Sequence, residues 1–72
     1  MDIHEYHTEI MRMLKQSKET NTSLARDFAL KSLTGKKEER ADNEQYALIW
    51  NARAEALATT IETIDAFYNR NN

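Results

Sequence analysis

Between Ala47 and Tyr68 an apolar or aromatic residue recurs at alternating steps of three and four: Ala47, Trp50, Ala54, Leu57, Ile61, Ile64 and Tyr68. Only an α-helix gathers positions so spaced into one stripe; a strand would scatter them over both of its faces. The residues between them are mostly polar, among them Asn51, Arg53, Glu55, Glu62 and Asp65. A helix with one apolar stripe has to bury it against another surface. The question for the rest of the chain is what that surface is.

At 72 residues the chain is one domain at most, and a domain of this size is marginal without support. The usual supports are disulfides, a metal or oligomerisation. With no Cys there is no disulfide, and the absence of Cys fits a reducing compartment. There is also no Pro and only one Gly, at position 35, whereas strand-and-turn folds need several of both. The expected fold class is therefore all-α. Charged residues make up 31% of the chain, carry both signs and leave a formal net charge of −2. That is an ordinary solvated surface, with no global pull toward nucleic acid or anionic lipid. Neither a signal peptide nor a membrane span is legible, and the expected compartment is the cytoplasm.

The N-terminal half reads as a helix over about residues 3–33. Asp2 is placed to cap it, with Glu5 three residues on. Its best seam is Ile3, His7, Ile10, Leu14, Ser17, Asn21, Leu24 and Phe28, apolar at both ends and polar in the middle. Two readings stay open for "QSKETNTS", residues 16–23. Either the helix is continuous, with Ser17 and Asn21 as polar seam positions that fix register, or it breaks near residues 20–23 and leaves three helices in all. Gly35 suits a left-handed C-terminal cap, and Lys31 in the last turn complements the helix dipole. The polar run at residues 36–45 reads as a solvated loop or an exposed helix start, with Asp42 and Gln45 approximating a capping box. The second helix is expected over about 42–69. Two helices of about 45 and 40 Å, at 1.5 Å per residue, suit an antiparallel hairpin folded at Gly35 in a single domain, residues 1–72.

One hairpin cannot cover all the apolar surface on offer. Tyr46, Ile49, Ala56, Ala58, Ala66 and Phe67 flank the second seam; Met11, Met13, Ala25, Ala29 and Leu30 flank the first. Two hairpins packed as a four-helix bundle cover most of it, so a homodimer is expected. Core and dimer seam are then assigned to Ile10, Leu14, Leu24, Phe28, Ala47, Trp50, Ala54, Leu57, Ile61, Ile64 and Tyr68. Phe67 and Tyr68 are expected near Ile3 and Tyr6, closing the end opposite the turn. In architecture such a dimer resembles the Rop family of plasmid copy-number proteins. No residue motif carries that resemblance, so no functional residue is transferred from it. The style of the chain is that of a phage or mobile-element accessory protein.

Motifs for chemistry are sparse. His4 and His7 stand three apart, whereas the His-Glu-x-x-His zinc motif needs four. Neither has a Glu three residues before it, as di-iron bundles require, and no third His or Cys completes a site. No Ser-His-Asp or Cys-His set is supplied, and a hairpin has little room for a concave pocket. The expectation is no enzyme, no metal, no cofactor and no small-molecule substrate. Two charged clusters remain. Glu44, Glu55, Glu62 and Asp65 form an acidic face able to dock on a basic partner surface. Lys31, Lys36, Lys37 and Arg40 form a basic cluster at the turn that could touch phosphate. Interleaved Glu38, Glu39, Asp42 and Glu44 disfavour nucleic acid. The leading expectation is a protein-binding module, an adaptor or inhibitor that masks the surface of a host or cognate protein. The alternatives are a Rop-like nucleic-acid-associated regulator and a purely structural oligomer component.

Overall fold

A computed structural model of the chain describes residues 1–71. Two helices of 32 residues each, α1 (Ile3–Thr34) and α2 (Arg40–Asn71), are joined by a short 3₁₀ turn, Lys37–Glu39. They pack side by side as an antiparallel hairpin. The register is fixed by cross-helix pairs at both ends: His4 and His7 against Tyr68 near the termini, and Phe28 against Tyr46 near the turn. The Cα envelope measures 53 × 18 × 11 Å, which is one helix long, two helices wide and one helix thick.

α1 begins where Asp2 sets it. Asp2 holds extended backbone angles while its carboxylate accepts the Glu5 N–H at 2.8 Å, and its carbonyl accepts the Tyr6 N–H at 3.0 Å. The helix then runs unbroken through residues 16–23. The polar side chains there act on the helix without ending it. Thr20, Asn21 and Thr22 donate to the carbonyls of Gln16, Ser17 and Lys18 at 3.1, 2.7 and 2.9 Å. Their donor groups are engaged one turn back on the same helix. The three-helix alternative is thereby excluded.

The turn differs from expectation in two respects. Gly35 has φ −79° and ψ −172°, extended backbone open to any residue, so it is not a left-handed cap. Glycine is needed there for space: a Cβ would lie 2.5 Å from the Lys31 carbonyl oxygen, the same oxygen that accepts the Gly35 N–H at 2.8 Å. Second, α2 starts at Arg40 and not near 42, because the 3₁₀ turn feeds straight into it. Asp42 therefore lies inside the first turn, where a carboxylate complements the helix dipole, and is not its cap. Arg40 ties the corner by donating from Nε to the Gly35 carbonyl at 3.0 Å.

Along α2 the stripe from Ala47 to Tyr68 is buried or half-buried at every position, while Asn51, Arg53, Glu55 and Glu62 are exposed. On α1 His7, Ile10, Leu14, Asn21, Leu24 and Phe28 are half-buried; Ile3 and Ser17 are exposed. The two most enclosed residues are Met11 and Ala54, 7% and 6% exposed, and among the described residues no side chain is wholly shielded. Ala54 suits close helix approach because it is small. Met11 lies one position off the 3.5-residue seam, and a nearly straight helix drifts about 20° per heptad relative to that seam. A single layer of two helices has an inside only one side chain deep.

Candidate protein-interaction face

The hairpin has two broad faces, and they differ in chemistry. On one, Ile3, Tyr6 and Ile10 of α1 meet Ile64, Phe67 and Tyr68 of α2 around an open groove of about 580 Å³ near the termini. Heptad steps extend this face along both helices, from Tyr6 to Met13 and Thr20, and from Phe67 back to Thr60, Arg53 and Tyr46. Ile49 lies beside Tyr46 on it. Ile3, Tyr6, Met13, Tyr46, Ile49 and Phe67 are 47% to 60% exposed. The face is therefore apolar at both ends, with a polar waist at Thr20, Thr60 and Arg53. The Arg53 guanidinium lies 4.7 Å from the Trp50 ring centroid, spread over the indole.

The opposite face carries charge of both signs, together with an apolar patch of Ala25, Ala29, Ala47 and the 58% exposed Leu48. Asp65 lines a shallow groove with Arg12 and Lys15, and Ile61 backs another lined by Lys15, Lys18 and Arg26. Asp65 thus lies beside a basic edge of α1. Glu44, Glu55 and Glu62 are exposed, and Glu55 accepts from Asn51 Nδ2 at 3.3 Å. Asp65 is half-buried, with its carboxylate 3.4 Å from His7 Nε2. Of the four acidic candidates, Asp65 is the one that faces basic side chains, and Glu44, Glu55 and Glu62 point to solvent. Glu9 and Arg12 form an i,i+3 ion pair on α1. Hydrogen bonding to Arg12, and then its charge, hold the Glu9 carboxyl below its ordinary range, and the guanidinium is pushed up in turn.

At the turn the basic cluster is partly engaged. Lys31 Nζ lies 5.2 Å from the Phe28 ring centroid, and Arg40 is bonded to Gly35. Lys36 and Lys37 are exposed, with Glu38 and Glu39 next to them. No convergent phosphate cradle results.

A cluster absent from the sequence reading lies at the terminal end. The His7 imidazole stacks on the Tyr68 ring, with centroids 3.7 Å apart and planes at 12°. His4 meets the same ring edge-on, and its Nδ1 is hydrogen-bonded to the Tyr68 hydroxyl. Folding back at Gly35 puts position 7 opposite position 65, so an assumed register would have located it. The His7 side chain is only 16% exposed and its Nε2 is turned toward Asp65. An imidazole so placed holds the end of the hairpin together, with its Nε2 buried beside the Asp65 carboxylate and not hydrogen-bonded. Among the described residues no group of three or more His, Cys, Asp or Glu could hold a metal, and no helix is long and apolar enough to cross a membrane. Compared with protein families, curated protein sequences and solved structures, the chain finds no match.

Proposed function

We propose that the chain is a non-enzymatic protein-binding module, an adaptor or inhibitor that lays its apolar face on a partner protein and masks the surface beneath. The observation that supports this reading most is the concentration of exposed Ile3, Tyr6, Met13, Tyr46, Ile49 and Phe67 on one side of a hairpin only one helix thick. Exposed apolar surface gathered on one side marks an interaction site, and aromatic residues are the common anchors of such sites. The groove at its terminal end is lined almost wholly by carbon, which suits an apolar ridge of another protein and offers few groups to orient a polar substrate. The acidic face is the weaker docking candidate, because its Asp65 is turned to His7, Arg12 and Lys15.

Affinity capture from the host lysate tests the reading. Tyr6→Lys with Phe67→Lys is expected to lose the captured partner, while Glu55→Lys with Glu62→Lys retains it. The reverse pattern would return the acidic face to first place. The nucleic-acid alternative predicts binding to duplex or stem-loop RNA that weakens steeply as salt rises and that fails in Lys36→Glu with Lys37→Glu.

A further inference from the structure

We propose that the apolar face of the free protein is occupied by a second copy of this chain, giving a four-helix bundle. The inference rests on reading that face as an interaction surface and names its occupant. Area carries it. The chain exposes 5646 Å², whereas a compact monomer of 8.4 kDa is expected to expose about 4,600 Å². The excess of about 1,000 Å² is close to the roughly 800 Å² that each partner of a standard interface buries. A slab 11 Å thick cannot remove that excess by folding further, because both helices already lie in one layer. A second slab laid on the apolar side removes it in one step.

The chemistry of the face agrees. An isologous dimer meets its own surface, so a face rich in one sign of charge would repel itself. Here the apolar ends carry Tyr6, Phe67, Tyr46 and Ile49, and the charges along the face, Glu19 and Asp27 of α1 and Arg53 of α2, are of opposite sign, with Arg53 spread over Trp50. On the other side, Lys15, Lys18, Glu19 and Arg26 share a groove. A dimer through that side would have to desolvate those charges. A heterologous partner that needs the apolar face then competes with the second copy.

Light scattering coupled to size exclusion, at tens of micromolar, is expected to give twice 8.4 kDa for the native chain. Leu33→Lys, at a 75% exposed position away from the face, is expected to leave that mass unchanged, and Tyr6→Lys with Phe67→Lys to halve it. Loss of fold in the double variant would mimic loss of the dimer, so a second measurement uses the native packing. The chain has no free cysteine, and a nitroxide on Phe67→Cys can be mixed with ¹⁵N-labelled unmodified chain. Intermolecular broadening confined to amides of the apolar face supports the dimer. Broadening centred on Glu55 and Glu62, no broadening at all, or a mass other than two copies overturns it. A monomer whose face variant still loses its captured partner removes the second copy and leaves the interaction reading standing. A dimer broken by the face variant with capture unchanged does the opposite.

Discussion

Replacing Gly35 with alanine separates two accounts of why glycine occupies the turn. Its φ of −79° and ψ of −172° are open to any residue, so backbone conformation alone predicts that Ala is tolerated, or stabilises by about 0.4–1 kcal/mol through the unfolded chain. Space predicts otherwise. The new Cβ would lie 2.5 Å from the Lys31 carbonyl oxygen, and real Cβ contacts essentially never fall below 3.0 Å. The corner has to open by about half an ångström, against the Gly35 N–H bond to that same oxygen at 2.8 Å and the Arg40 bond to the Gly35 carbonyl at 3.0 Å. Losing one such bond costs about 0.5–1.5 kcal/mol, and residual strain adds a similar amount. After the unfolded-state offset, the net expectation is a loss of about 1–2 kcal/mol. That corresponds to a fall in Tm of roughly 4–16 °C for a domain of this size. Urea unfolding followed by far-UV circular dichroism, at fixed protein concentration, measures it. Gly35→Asn provides the control. A left-handed cap would make Asn clearly better than Ala, whereas a steric requirement makes the two equally poor. An Ala variant as stable as the native chain, or an Asn variant much better than Ala, refutes the steric account.

Other positions give independent checks. Met11→Ala, at 7% exposure, is expected to cost about 2–3 kcal/mol, while Leu33→Ala, at 75% exposure, changes stability by less than about 0.5 kcal/mol; equal effects in urea titrations would contradict the packing described. Asn21→Leu removes a buried side-chain oxygen without a hydrogen-bond partner and is expected to stabilise by about 1 kcal/mol, so a clear destabilisation in the same assay would mean that Asn21 has a partner after all. The Glu9 carboxyl, followed by carbon NMR, should titrate at lower pH in the native chain than in Arg12→Gln. Because its folded pKa is depressed, any stability it lends is present at higher pH and disappears as pH falls through the folded value. Exposed to solvent as the pair is, circular dichroism should register no stability change for Arg12→Gln, and a large one would show that the pair is shielded.

The second helix was readable because its stripe is apolar at every step, and nothing in Ala47–Tyr68 argues for another period. The first helix was harder. Thr20, Asn21 and Thr22 favour caps and turns when considered singly, and only their bonds to carbonyls one turn back reveal that they leave the helix intact. Met11 was placed beside the seam and not in it because a strict heptad excludes it, although helical drift brings it inward. Gly35 was correctly placed at the turn but for a different physical reason, since identity alone cannot separate a need for positive φ from a need for room. The acidic stripe was legible on α2, but the surroundings of Asp65 were not. Arg12 and Lys15 are far from it in sequence and come alongside only in the folded register. The same register assembles His4, His7, Asp65 and Tyr68.

Cross-helix contacts in solution test the hairpin itself. Nuclear Overhauser effects recorded on a mixture of labelled and unlabelled chains distinguish contacts within a chain from contacts between chains. The His7 and Tyr68 rings, with centroids 3.7 Å apart, and the Phe28 and Tyr46 rings, 5.2 Å apart, should give strong cross-peaks arising within one chain. Their absence, or their appearance only between differently labelled chains, would contradict a chain that folds back on itself at Gly35.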